Sequence, residues 1–225
     1  MKIFNCKATD LYRFISSRFG KNEYIKNGRK RFVVINVHIH YESNDLTDYT
    51  DTHRQYCARF DYQYIQITKN LLISALPTWS KHVAALDNID KCDGLMIIDS
   101  DAEILETCPP FHELLNSNQP YDLFFAFGHS FRPNAGVILL RGMAKTSVLF
   151  LKTLLEEREH KIPEQDQARA GGDNGHVINL LRREEFKSKL FILGANWNNT
   201  TKPTDWDFVR HYTGPMTDFI RSKKL

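Results

Sequence analysis

No stretch of this sequence stays apolar for the ~18–20 residues that a membrane-crossing helix needs. The amino terminus, Met1 to Asp10, lacks the apolar centre of a secretory leader. The four cysteines, Cys6, Cys57, Cys92 and Cys108, are scattered, and no two form a Cys-x-x-Cys pair. A zinc ribbon and a thioredoxin-like redox motif are therefore unsupported, and reduced thiols in a cytoplasmic protein are expected. Charge of one sign is not in excess either. Thirty basic and 27 acidic residues leave a net +3, too balanced to point to nucleic acid as a partner. Internal repeats, low-complexity segments and linker-like stretches are lacking too. The basic end at Arg221 to Lys224 reads as a solvated charged tail, with at most a weak peripheral contact to an anionic membrane surface.

What is present suits a globular domain. The chain has 225 residues, 42% of them hydrophobic, enough for a real core. Buried strands are predicted at Phe32 to Val37, Leu95 to Asp99, Tyr121 to Phe127 and Ala135 to Arg141. Tyr62 to Thr68 alternates in polarity and reads as a further strand. Short late strands are expected at Phe191 to Leu193 and Phe208 to His211. Helices are predicted over Thr50–Phe60, from Pro77 to Leu86, around Val148 to Leu155, and over Asn174–Arg182. A short amphipathic helix is expected near Leu11 to Phe19. Strands alternate with helices through the first half and cluster after Asp101. That order predicts an α/β fold with a mixed, mainly parallel sheet flanked by helices. Residues 1–30 read as an N-terminal extension and 31–225 as one domain.

The chemistry concentrates where the strand Leu95 to Asp99 ends. Asp99 and Asp101 are separated only by Ser100. In an extended strand, residues two apart point to the same side. Two carboxylates there repel unless a cation lies between them, and hard oxygen ligands suit Mg²⁺ or Mn²⁺. In sheets of this kind ligands sit at the carboxyl ends of strands. A metal at this place would hold a phosphate-bearing substrate.

An ordered set of motifs surrounds this pair: Trp79-Ser-Lys81, Ile98-Asp-Ser-Asp101, Asn134-Ala-Gly-Val137, Gly171-Gly-Asp-Asn-Gly175, Ala195-Asn-Trp-Asn198 and His211-Tyr-Thr-Gly214. Together they resemble the glycosyltransferases of the GT-A fold, in particular the glycogenin-like and the galactosyl/mannosyltransferase (yeast Golgi type) families. The resemblance spans about residues 31 to 214. It implies a single Rossmann-like GT-A domain and a metal-dependent transfer of sugar from a nucleotide-diphosphate donor, UDP-linked, to the hydroxyl of a glycan or other acceptor. It implies metal ligation by Asp99, Asp101 and His211. An imidazole beside two carboxylates suits Mn²⁺ better than Mg²⁺. Ser100 falls within the donor-binding motif.

Other positions follow from the same resemblance. Lys81 is the candidate cation for the donor phosphates, with Arg54 and Arg59 as weaker ones. The families often place Lys-Pro-Trp after the glycine that corresponds to Gly214. Here Pro215-Met-Thr-Asp218 follows, so a different cation must do that work, or none does. Asn134 and Gly136 open an apolar strand; glycine permits close backbone approach and the amide can bond sugar hydroxyls. Asn36 to Tyr41 reads as the lining of a nucleotide-base pocket, with Tyr41 able to stack on a base. His38 and His40 share a side, a metal-like spacing without a carboxylate beside it. Asp166, in Glu164-Gln-Asp-Gln167, and Asp173 compete for the place at the reacting sugar, with Asp173 favoured; Asn174 replaces the glutamine that usually follows. A carboxylate there would deprotonate the acceptor in an inverting enzyme, or stabilise a sugar cation in a retaining one. A sugar-phosphate nucleotidyltransferase and an inactive nucleotide-sugar-binding relative are the alternatives. The first would carry a glycine-rich loop after strand one, where this sequence has Val37-His-Ile-His-Tyr41.

Overall fold

A computed structural model describes residues 32–39, 49–72, 75–168 and 172–223. The expected helix near Leu11 to Phe19, together with His40, Tyr41 and Gly171, lies outside the described residues. The larger sheet has six strands: β1 (Phe32–Val37), β2 (Gln63–Ile67), β3 (Gly94–Asp99), β5 (Leu123–Phe127), β6 (Pro133–Arg141) and β7 (Leu190–Leu193). Their order across the sheet is β2-β1-β3-β6-β5-β7. All pair in parallel except β6, which runs antiparallel to both β3 and β5. A second sheet of two strands pairs β4 (Ala102–Ile104) with β8 (Val209–His211), antiparallel.

The strand residues alternate between two apolar cores, as the period of two requires. Val33, Ile35, Leu95, Ile97, Ile138 and Leu140 face one core. That side is covered by α2 (Ser80–Asn88), α4 (Lys145–Glu156) and α5 (Asn174–Leu181). Val34, Met96, Ile98, Val137 and Leu139 face the other, under α1 (Thr50–Phe60) and α3 (Phe111–Ser117). A short α6 (Glu184–Lys187) precedes β7, and α7 (Pro215–Lys223) closes the described chain. The stretch from Pro215 is helical as far as Lys223, so the helix takes in part of the expected charged tail. Its opening proline already has the backbone angle a first helical turn needs, and Met216 is fully buried. Among the described residues, no helix is long and apolar enough to cross a membrane.

From β1 the chain leaves towards β2 and then returns to the opposite flank of β1 as β3. That reversal makes a topological switch point at the carboxyl ends of β1 and β3, the kind of place where α/β sheets bind ligands. The register sets Val37 beside Asp99 at that edge.

Candidate active site

The site begins with a helix that has no solvated face. Ser80, Lys81, His82, Val83, Ala84 and Ala85 are all buried, and three of these six are polar. Buried polar groups need partners. Ser80 Oγ donates to Asn70 Oδ1 at 2.8 Å. The Lys81 ammonium, 1% exposed, reaches Asp99 Oδ1 at 2.7 Å, Ala135 O at 2.9 Å and Asp173 Oδ2 at 3.1 Å. His82 Nε2 donates to the same Asp173 oxygen at 2.6 Å. An ammonium has three protons to give, and three acceptors surround this one. Lys81, expected as a cation for the donor phosphates, is in the structure directed at two carboxylates and a carbonyl. Arg54 and Arg59 are likewise committed, Arg54 to Asp51 and Gln66, Arg59 to the carbonyls of Glu106 and Cys108.

Asp99 ends β3, but Asp101 is not its neighbour on an extended strand. Ser100 and Asp101 form a turn, pinned where Tyr49 N–H donates to Ser100 O at 3.1 Å and Tyr212 N–H to Asp101 O at 2.9 Å. The two carboxylates still converge, through the turn rather than through strand alternation. His211 joins them because β8 pairs with β4, which sets His211 opposite Ala102. Ligand atoms of Asp99, Asp101 and His211 all lie within 4.8 Å of one another. His211 Nε2 is 3.2 Å from Asp101 Oδ1 and 3.9 Å from Asp99 Oδ2.

Electrostatics separate these groups. Burial pushes Asp99 upward, against the pull of Lys81 and His211. Burial also works against the charge on Asp101, but the neighbouring His211 outweighs it and the carboxyl is held below the usual range. For His211 burial favours the neutral ring, yet Asp101 and Asp99 prevail and raise it. Burial opposes ionisation of Asp173 too, and there Lys81 and His82 prevail and drive it well below the ordinary range. Asp99, Asp101 and Asp173 against the single ammonium of Lys81 leave two negative charges when both histidines are neutral. A divalent cation fits that balance, and two carboxylates with one imidazole fit its coordination chemistry.

The remaining expected residues fall in different places. Asn174 Oδ1 accepts from Ala135 N–H at 2.8 Å, so Asn174 and Lys81 hold Ala135 of β6 by its N–H and its carbonyl. Asn134 Oδ1 accepts from Gly136 N–H at 2.9 Å and from Asn198 Nδ2 at 2.8 Å, so this oxygen is not free for a sugar. Gly136 lies against the His211 ring; a Cβ there would sit 2.1 Å from Cε1. Asn36 is fully buried on β1, gives its Nδ2 to Ile98 O at 3.0 Å and leaves Oδ1 without a partner among the described residues. Asp166, fully buried in a short 3₁₀ turn, faces α5: Asn179 Nδ2 donates to it at 3.0 Å, and Arg182 Nε lies 2.9 Å away. These contacts tie the preceding loop to α5, and none of them joins Asp166 to the Asp99 cluster, in contrast to Asp173.

Two site residues escaped the sequence reading. His82 carried a signal in the run Ser80-Lys-His-Val-Ala-Ala85, where polar and apolar residues follow one another without a polar stripe. Asn198 stood inside a quoted motif with no role attached; its side chain is fully buried and its Oδ1 is 3.0 Å from His211 Nδ1.

No known protein family's profile matches the chain, and no curated protein does. Its fold, by contrast, is similar to solved glycosyltransferases. One is a glycosyltransferase involved in the glycosylation of the major capsid of PBCV-1, with a TM-score of 0.64 at 13% identity, covering 86% of this chain and 99% of that one. Another is the glycosyltransferase GlyE of Streptococcus pneumoniae TIGR4, with a TM-score of 0.50 at 15% identity over 83% of this chain. This chain spans 55% of the GlyE chain. What the protein shares with both is the fold, an α/β architecture of the GT-A kind.

Proposed function

We propose that this protein is a metal-dependent glycosyltransferase that moves a sugar from a nucleotide-diphosphate donor, UDP-linked, to the hydroxyl of a glycan acceptor in glycan or polysaccharide assembly. The observation that carries this reading is the meeting of Asp99, Asp101 and His211 at the carboxyl end of β3, within 4.8 Å, on a glycosyltransferase-like fold. These three residues would hold Mn²⁺ or Mg²⁺, with the imidazole favouring Mn²⁺. A cation there would offset the charge of the donor diphosphate as it departs.

The chain's own groups divide the remaining work. Lys81 takes Asp99 Oδ1, which leaves Oδ2 turned towards His211. Asp173, held ionised by Lys81 and His82, makes a poor proton acceptor, because a useful base titrates near the working pH. Its fixed negative charge suits stabilising positive charge that develops on a sugar. Asn36, whose buried oxygen has no partner among the described residues, remains the candidate for the base pocket at the end of β1. We assign residues 31–225 to the transferase domain and 1–30 to an extension. The scattered cysteines, with no Cys-x-x-Cys pair in the sequence, support placement in the cytoplasm.

The test is turnover of a panel of nucleotide sugars with and without Mn²⁺, in the wild type and in a variant carrying Asp99→Ala and Asp101→Ala. Metal-dependent donor hydrolysis that the double substitution abolishes supports the reading. Full activity in the double variant contradicts it. Turnover of UTP with a sugar phosphate in place of UDP-sugar would make the protein a nucleotidyltransferase.

A further inference from the structure

The direction of one backbone N–H determines the state of His211 at the far end of a hydrogen-bond chain. Gly136 N–H can only donate, so the atom of Asn134 that faces it at 2.9 Å must be the carboxamide oxygen. The same oxygen lies 2.8 Å from the Asn198 side chain, which must therefore present its NH₂. The Asn198 oxygen is then turned to His211 Nδ1, 3.0 Å away, and accepts a proton from it. A neutral imidazole with hydrogen on Nδ1 carries its lone pair on Nε2, the nitrogen that faces Asp101 and Asp99. The usual ambiguity of amide and imidazole orientation is removed, because the chain starts at a donor that cannot be flipped. Asn198 is fully buried, and Gly136 adds a steric guide by letting the ring lie directly on its Cα.

We propose that Asn198 and Asn134 are positioning residues that fix the tautomer and aim of His211, so that Nε2 is offered to a divalent cation. This rests on reading Asp99, Asp101 and His211 as metal ligands. Partners of this kind on a ligating histidine typically change metal affinity by about 10- to 100-fold.

The test uses the full chain and Mn²⁺ alone, with free Mn²⁺ followed by electron paramagnetic resonance. Asn198→Ala should weaken Mn²⁺ binding by about 10- to 100-fold while the protein stays folded by circular dichroism. Asn134→Leu should weaken it in the same sense. Asn134→Asp keeps an acceptor for both Gly136 N–H and Asn198 Nδ2, and should retain at least wild-type affinity. A merely structural role would not separate these two substitutions at Asn134. A folded Asn198→Ala variant with wild-type affinity would overturn the proposal. Should that variant fail to fold, long-range ¹H–¹⁵N spectra of the Zn²⁺-loaded wild type decide. Metal on Nε2 with a proton on Nδ1 upholds the proposal, and metal on Nδ1 refutes it. If the wild type binds neither ion, the metal reading falls by itself. The same spectra of the metal-free protein at alkaline pH then test the relay: hydrogen on Nδ1 sustains it and hydrogen on Nε2 ends it.

Discussion

His82 and His211 are both buried histidines that touch an aspartate, and they are driven in opposite directions. Burial, helped by the neighbouring Lys81, holds His82 below its ordinary range despite the pull of Asp173. His211 is raised, because Asp101 and Asp99 outweigh the same burial. The difference is the cation. On the His82 side, Lys81 already stands among the carboxylates and the charges are matched. On the His211 side two carboxylates meet a ring and no ammonium is interposed between them. One half of the site is finished as folded; the other is short of positive charge, and that shortage is what a divalent cation would fill.

The largest effect should come from breaking the finished half. Lys81→Met leaves the buried Asp173 and the half-buried Asp99 without their cation, and a loss of about 3–5 kcal/mol in a urea titration is expected. On the open half, Asp101→Asn should leave stability nearly unchanged but lower donor turnover by about 10²- to 10³-fold. Asp173→Asn should lower kcat by a similar factor. Asp166→Asn should cost about 1–3 kcal/mol of stability with kcat unaltered, since its partners lie on α5. Denaturation and steady-state rates on the same samples separate the two aspartates.

A smaller effect sharpens the contrast between the histidines. With a folded value below the ordinary ~6.5, His82 refuses a proton that the unfolded chain accepts. Its contribution is therefore intact above the ordinary value and is lost as pH falls from there towards the lowered one, by at most about 1.4 kcal/mol per pH unit. His211 in the metal-free protein behaves oppositely. Its contribution is full below the ordinary value and is lost as pH rises through the raised one. Stability measured from pH 5 to 8 should accordingly lose its rise on the acid side of the ordinary histidine value in His82→Gln, and lose its fall on the alkaline side in His211→Gln. Equal profiles for the two variants would break the comparison.

The sheet was largely legible in the sequence because its strands are apolar runs ending at polar residues, as at Phe32–Val37, Gly94–Asp99 and Pro133–Arg141. The short elements were not. Ala102–Ile104 has too few residues to show a period, and no element was read in the sequence where α7 begins. Asp99, Asp101 and His211 were found by motif, and the pairing of β4 with β8 supplies the reason they meet. Lys81 was singled out in the sequence, but its carboxylate partners were not. A lysine in a motif announces a cation without saying which anion it faces, and only the burial of the whole first turn of α2 shows that it looks inward. Asp166 was singled out by its local pattern, whereas its contacts come from Asn179 and Arg182, a full helix later in the chain.

The central claim is that the Asp99, Asp101 and His211 corner takes a divalent cation which in turn holds a nucleoside diphosphate. Calorimetric titration of UDP into the wild-type protein, with Mn²⁺ and then with excess chelator, tests it most directly. The account predicts binding with Mn²⁺, binding lost on chelation, and none with either addition in the variant carrying Asp99→Ala and Asp101→Ala. UDP affinity that is the same with and without the metal would contradict it.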